Sequence, residues 1–191
     1  MSMNHHQVVQ KLFKEHFGQD PIIEGVEIGT FCGDLTRSIL SELPNSVVHT
    51  IDPWLHQPGK EFEAGNFQDY HDKNEALARS KLEGFGDRVC IHKVTSEEAS
   101  HFDTIPTELD FVWIDGDHSG DTVIQDIEMW YPRVAETGIL GGHDFGQVHP
   151  LTEIIFRTFD RFLNSGNDFT WWVYAEDIKH LIKEGDVLQV H

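Results

Sequence analysis

The sequence predicts an α/β fold, a single domain built on an open, doubly wound and mostly parallel sheet. Three observations carry this reading. Short apolar runs alternate with stretches of helical period, the order that gives parallel strands joined by helices. The run Phe111 to Asp115 is apolar, β-branched and aromatic almost throughout, as a strand buried on both faces reads. Polar clusters fall where apolar runs end, which in open α/β sheets is the edge over which ligands bind.

Taken in order, Val9, Phe13 and Phe17 recur every four residues and predict an opening helix over 5–17, ended by Gly18 with Pro21 beyond. Gly25 to Ile28 is a short strand running into a turn punctuated by Gly29 and Gly33. Leu35, Ile39 and Leu43 then mark a helix that Pro44 closes. Strand, glycine turn and helix start together make a nucleotide-binding βα unit, because free N–H groups gather at the helix N-terminus. The turn departs from the dinucleotide pattern: Phe31 takes the place of the second glycine, obstructing a pyrophosphate on the backbone. The acidic Glu27 before it suits a cationic group better than a phosphate.

Ser46 to Ile51 is a second strand, ending on Asp52, Pro53 and Trp54. An acid about 20 residues beyond the glycine turn is placed to take two ribose hydroxyls, although a turn or cap role alone would be commoner for an isolated Asp. Gln57 to Asp72 shows neither period. Trp54, Phe62, Phe67 and Tyr70 make it aromatic for a solvated linker, so the expectation is a lid over the ligand spanning about 54–72, with a disordered surface loop as the alternative.

Asn74 to Phe85 reads as helix and Val89 to Val94 as a third strand. Thr95 and Ser96 follow as a turn and helix start, with Ser96 expected to cap. In the next strand's end, Asp115, Asp117 and His118 crowd around Gly116. Behind them Val123, Ile127, Trp130 and Val134 keep helical spacing. Thr137 to Gly142 is a fifth strand ending on His143, Asp144 and Phe145. A helix from Leu151 to Leu163 follows Pro150, and Phe169 to Tyr174 with Val187 to Val190 are expected as closing strands, an antiparallel pair.

Composition bounds the function. A chain of 191 residues supports one substantial core, so 1–191 is read as one domain. The net charge of −19, from 33 acidic against 14 basic residues with no basic stripe, disfavours a nucleic-acid partner and tolerates cations. No apolar run approaches the roughly 20 residues that cross a bilayer, and Met1 to Gln10 lacks a signal-peptide pattern. A cytoplasmic protein without a membrane partner is therefore expected, with Cys32 and Cys90 as reduced thiols. The exposed aromatics of the lid and C-terminal segment make a homo-oligomer an open expectation.

Glu27-Ile28-Gly29-Thr30-Phe31-Cys32-Gly33, Ile51-Asp52, Trp113-Ile114-Asp115-Gly116-Asp117-His118-Ser119 and Gly138-Ile139-Leu140-Gly141-Gly142-His143-Asp144 occur in this order. No one of these motifs is specific; the ordered set is. It resembles the class I S-adenosylmethionine-dependent methyltransferases, and closely the small branch that includes macrocin-type sugar O-methyltransferases, over roughly Ile22 to Leu163. The resemblance implies a Rossmann-like, seven-stranded sheet with an antiparallel C-terminal strand and the cofactor across its first strands. It implies that Gly29, Thr30, Phe31 and Gly33 hold the methionine moiety, that Glu27 reaches its ammonium through water, and that Asp52 holds the ribose. Thr95 and Ser96 would border the adenine. In metal-dependent members, positions matching Asp115 and Asp144 bind Mg2+ and the one matching His118 is the general base. Asp115 would thus serve the metal, the reaction and the cofactor rim together.

A sugar hydroxyl is poorly acidic, and the sulfonium already makes the methyl group electrophilic. The protein must supply an alkoxide-like nucleophile in line with it. Two carboxylates at adjacent strand ends repel until a divalent cation joins them, and His143 or Asp117 would complete the shell. His143 equally suits a supporting hydrogen bond to a carboxylate. Asp117 and Ser119 as helix caps, Asp144 as a turn residue and His118 as a surface residue are the plain alternatives. The expected function is a Mg2+-assisted O-methyltransferase acting on a hydroxyl of a sugar or other polyhydroxylated small molecule. The alternatives are a metal-dependent phosphoester hydrolase and a non-catalytic S-adenosylmethionine-binding module.

Overall fold

The computed structural model describes residues 3–56, 68–166 and 168–178. Its seven strands are β1 (Glu24–Ile28), β2 (Val47–Ile51), β3 (Val89–His92), β4 (Leu109–Ile114), β5 (Val134–Gly142), β6 (Asn164–Ser165) and β7 (Trp171–Tyr174). The helices are α1 (His5–Phe17), α2 (Asp34–Glu42), α3 (Gln68–Leu82), α4 (Ser96–Ser100), α5 (Gly120–Trp130) and α6 (His149–Phe159). The strands form one sheet in the order β3-β2-β1-β4-β5-β7-β6. β1 to β5 are parallel, and β7 runs antiparallel to both β5 and β6.

The continuous apolar run in β4 follows from burial on both faces. Phe111 and Trp113 face Val9, Phe13, Ile39 and Leu40 of α1 and α2, while Val112 and Ile114 face Val123, Ile127 and Ile155 of α5 and α6. Helices therefore cover both sides of the sheet, and the order reverses between β1 and β4, so a crevice opens above those two strands. α1 begins as an Asn4–Gln7 capping box and ends on Gly18 at φ 103°.

Several expected boundaries move. α3 starts at Gln68, so residues 68–72 of the expected lid are helical. Only Asn74, Ala78 and Leu82 of this charged helix are buried, a stripe too narrow to show in the sequence. Residues 57–67 of that lid lie outside the described residues. Trp54 is not a lid aromatic: it is 1% exposed, and its indole N–H donates to the Phe31 carbonyl at 2.7 Å. α3 gives way at Glu83 to a 3-10 segment, and β3 stops at His92. Val134 opens β5 because a 3-10 turn over Tyr131–Arg133 ends α5 first. α6 ends at Phe159, with Asp160 at φ 38° starting a 3-10 turn. β7 is paired by β6, and the expected strand Val187 to Val190 lies outside the described residues. Ser96 is not the cap of α4. Thr95 is, in a capping box with Glu98, and Ser96 Oγ instead accepts from Trp130 Nε1 at 2.7 Å.

Candidate functional site

The carboxyl ends of five adjacent strands, β3, β2, β1, β4 and β5, are tied into a row. Asp52 N–H donates to the His92 carbonyl, Gly29 N–H to Ile51, Asp115 N–H to Ile28, and His143 N–H to Ile114. Asp52, Asp115 and His143 thus leave the sheet at the same edge. Gly29 is needed there for the fold itself: at φ 93°, a Cβ on it would meet the Asp115 carbonyl oxygen at 2.1 Å. Gly33, at φ 79°, starts α2, and a Cβ on it would press on Ala78 at 3.2 Å. The glycines of the turn are explained by chain packing as much as by any ligand.

Over the first two strands the carboxylates are held by internal donors. Asp52 Oδ2 accepts from Phe31 N–H at 2.8 Å and Oδ1 from Trp54 N–H at 2.7 Å. Burial raises this carboxyl, partly offset by those two N–H groups. An ionised carboxylate has about four acceptor positions, so Asp52 can still receive a pair of ribose hydroxyls. Phe31 stands at φ 49° with its ring exposed, 6.0 Å from that of Tyr70. Glu27 is buried, and its Oε2 accepts from the hydroxyls of Thr36 and Thr50. Burial pushes the Glu27 carboxyl up to about 8 against the pull of those hydroxyls. Thr30 is also buried, its hydroxyl 2.5 Å from that of Thr50. Thr95 and Ser96 lie at the end of β3 with their hydroxyls in the contacts described above. Asp117 accepts from Ser119 N–H, Ser119 Oγ and Thr122 Oγ1, a helix-start role.

Beside them the structure brings the remaining expected residues together. His118 Nε2 is 2.9 Å from Asp144 Oδ2, and His143 Nδ1 lies 3.3 Å from Asp144 Oδ1 and 4.0 Å from Asp115 Oδ1. One ligand atom each of Asp115, His118 and Asp144 lie within 4.8 Å of one another, and so do atoms of His5, Asp115 and His143. Burial raises Asp115 to about 7. Hydrogen bonds from His118 and then His143 hold Asp144 well below the usual carboxylate range. Burial would lower His143, but the Asp144 hydrogen bond and the Asp115 and Asp144 charges outweigh it and raise the imidazole. His143 Nε2–H donates to the Asp168 carbonyl at 2.8 Å, which turns Nδ1 towards the carboxylates.

His5 is the member the sequence reading missed. Its ring packs edge-on to that of His143 at 4.1 Å, and its Nε2 lies 3.7 Å from Asp115 Oδ2. Burial, then the His143 and His6 rings, push it down to about 3, so it is neutral. A signal existed: His5 lies four residues before Val9 and eight before Phe13, on the buried stripe of α1.

The donor set fits a divalent cation. Asp115 and Asp144 converge with the His118 imidazole. Asp115 also converges with His143, whose other nitrogen is already fixed on a carbonyl, and with His5, whose nitrogens are out of water with no hydrogen-bond partner among the described residues.

Residues 26–145 of the chain, well over half of it, match the family described as "Methyltransferase domain". Among solved structures, the O-methyltransferase NovP is 18% identical with a TM-score of 0.63, over 88% of this chain and 78% of that one. An O-methyltransferase from Bacillus cereus in complex with SAH is 15% identical with a TM-score of 0.62, over 91% and 82%. TrmN from Thermus thermophilus is 13% identical with a TM-score of 0.54, and this chain spans 47% of that longer chain. At these identities the likeness is one of fold.

Proposed function

The chain belongs to the methyltransferase-domain family and is an S-adenosylmethionine-dependent methyltransferase, and from that premise we propose that it methylates a hydroxyl of a sugar or other polyhydroxylated small molecule with the help of Mg2+ or another divalent cation. The observation that carries the reading is the convergence of Asp115, Asp144 and His118 within 4.8 Å at the edge that also bears the Asp52 clasp.

In this reading Asp52 holds the ribose through its remaining acceptor positions. The turn from Gly29 to Gly33, with Thr30 and Phe31, lines the methionine moiety. Glu27, buried beneath it and raised to about 8 in the free protein, ionises when a cationic ammonium lies above it and faces that charge through water. Thr95 and Ser96 border the adenine. Asp115 and Asp144 hold the cation, with His143 beside them. A divalent cation, when bound, supplies Lewis acidity that makes an alcohol a better proton donor. His118 Nε2 lies 2.9 Å from Asp144 Oδ2, which orients the ring beside the cation site, and its imidazole is the proton acceptor. The imidazole takes the hydroxyl proton as the C–O bond forms, the carbon–sulfur bond breaks and its electron pair returns to sulfur.

A phosphoester hydrolase built on the same carboxylates would leave the Asp52 clasp unused, and family membership speaks against it. A binding module without turnover would hold the cofactor and transfer nothing. The test is methyl transfer from S-adenosylmethionine to a panel of polyols and glycosides, with and without added Mg2+. Transfer that a chelator abolishes supports the reading; cofactor binding without transfer to any acceptor removes it.

A further inference from the structure

We propose that α1 completes the cation site: His5 joins His143 and Asp115 as a ligand, so that the site selects a first-row transition ion over Mg2+. This rests on the metal-assisted reading above and adds a residue and an ion class to it.

The first ground is the state of His5. Both ring nitrogens are buried without a hydrogen-bond partner among the described residues, in a side chain that turns inward from the first turn of α1. A buried polar group left unpaired costs about 1–3 kcal/mol, and a coordinated ion removes that cost for the nitrogen that binds it. The second ground is position. His5 Nε2 is 3.7 Å from Asp115 Oδ2, its ring is 4.1 Å from that of His143, and the three residues offer ligand atoms within 4.8 Å of one another. Ligand atoms on one tetrahedral ion about 2.1 Å away stand roughly 3.4 Å apart, so small side-chain shifts suffice.

The third ground is His143. Its Nε2–H is committed to the Asp168 carbonyl, so Nδ1 is the nitrogen that faces Asp115 and Asp144. Fixing the far nitrogen on a carbonyl is how metal-binding imidazoles are oriented. Two imidazoles change the preference of the site. Mg2+ takes oxygen ligands in a near-octahedral shell, whereas nitrogen donors favour Mn2+, Co2+ and Zn2+ increasingly.

The test uses the full chain and compares His5→Phe, which keeps a ring beside Trp113, with His5→Ala and the unaltered protein. Co2+ is titrated by its visible absorption, Mg2+ by competition against Co2+, and S-adenosylhomocysteine binding and the melting transition report the fold. We expect Co2+ affinity to fall at least ~10-fold in His5→Phe and the absorption spectrum to change with loss of a nitrogen ligand, while Mg2+ affinity stays within about threefold. Co2+ affinity and spectrum unchanged in both variants would overturn the proposal. Failure of the unaltered protein to bind any divalent ion, with S-adenosylhomocysteine still stabilising it, would overturn it and leave methyl transfer standing. Selective loss of Co2+ in a protein that S-adenosylhomocysteine does not stabilise would support the ligand set while removing the methyltransferase site.

Discussion

His118 Nε2 lies 2.9 Å from Asp144 Oδ2, so the imidazole proposed as base is oriented by a carboxylate proposed as metal ligand. Replacing His118 by Ala removes the proton acceptor and leaves the Asp52 clasp intact. Turnover is expected to fall about 100- to 10,000-fold, with S-adenosylhomocysteine affinity within about twofold of the parent. Titration calorimetry beside a transfer assay checks it; a comparable loss in cofactor affinity would put His118 in a different role.

Asp52 joins two loops through both carboxylate oxygens, at 2.8 and 2.7 Å. In Asp52→Asn the amide presents N–H where one backbone N–H must be accepted, and the ribose loses charge-assisted bonds. S-adenosylhomocysteine binding is expected to weaken roughly 10- to 100-fold, corresponding to about 1.5–3 kcal/mol. Unchanged affinity by calorimetry would remove the ribose assignment.

Glu27 gives the fold a pH signature. Its folded-state pKa, about 8, exceeds the ordinary 4.5, so its favourable contribution is complete below pH 4.5 and is lost as pH rises through 8. Glu27→Gln cannot ionise. In the absence of cofactor the variant should gain on the parent by roughly 2 kcal/mol between mildly acidic and alkaline buffer, read by urea unfolding. A difference between the two proteins that does not change with pH would contradict the burial argument.

Gly29→Ala tests how far the site depends on close chain packing. The added methyl would lie 2.1 Å from the Asp115 carbonyl oxygen and 2.5 Å from its carbon, backbone atoms that cannot rotate away, and at φ 93°. A loss of at least ~3 kcal/mol is expected in denaturant unfolding. A stability within about 1 kcal/mol of the parent would show that β4 yields more easily than its place in the sheet implies.

What the sequence makes legible is set by burial. β4 and the second half of β5, Gly138 to Gly142, are apolar because both faces are covered, and their ends at Asp115 and Asp144 stand out against that background. α3 was harder to delimit because only Asn74, Ala78 and Leu82 touch the core and Gln68 begins it among polar residues. Trp54 reads as a lid aromatic because nothing local announces that its indole bonds the Phe31 carbonyl, 23 residues earlier. His5 escaped because its partners, Asp115 and His143, come more than a hundred residues later. The polar ends of strands can be read from local pattern; the contacts among them depend on strand order.

Anomalous diffraction from crystals grown with S-adenosylhomocysteine and Mn2+ addresses the site directly. The account predicts a manganese peak bounded by Asp115, Asp144 and His143, next to the thioether sulfur, with Asp52 on the ribose hydroxyls. S-adenosylhomocysteine bound at the glycine turn with no peak between Asp115 and Asp144, or a peak elsewhere, would contradict it.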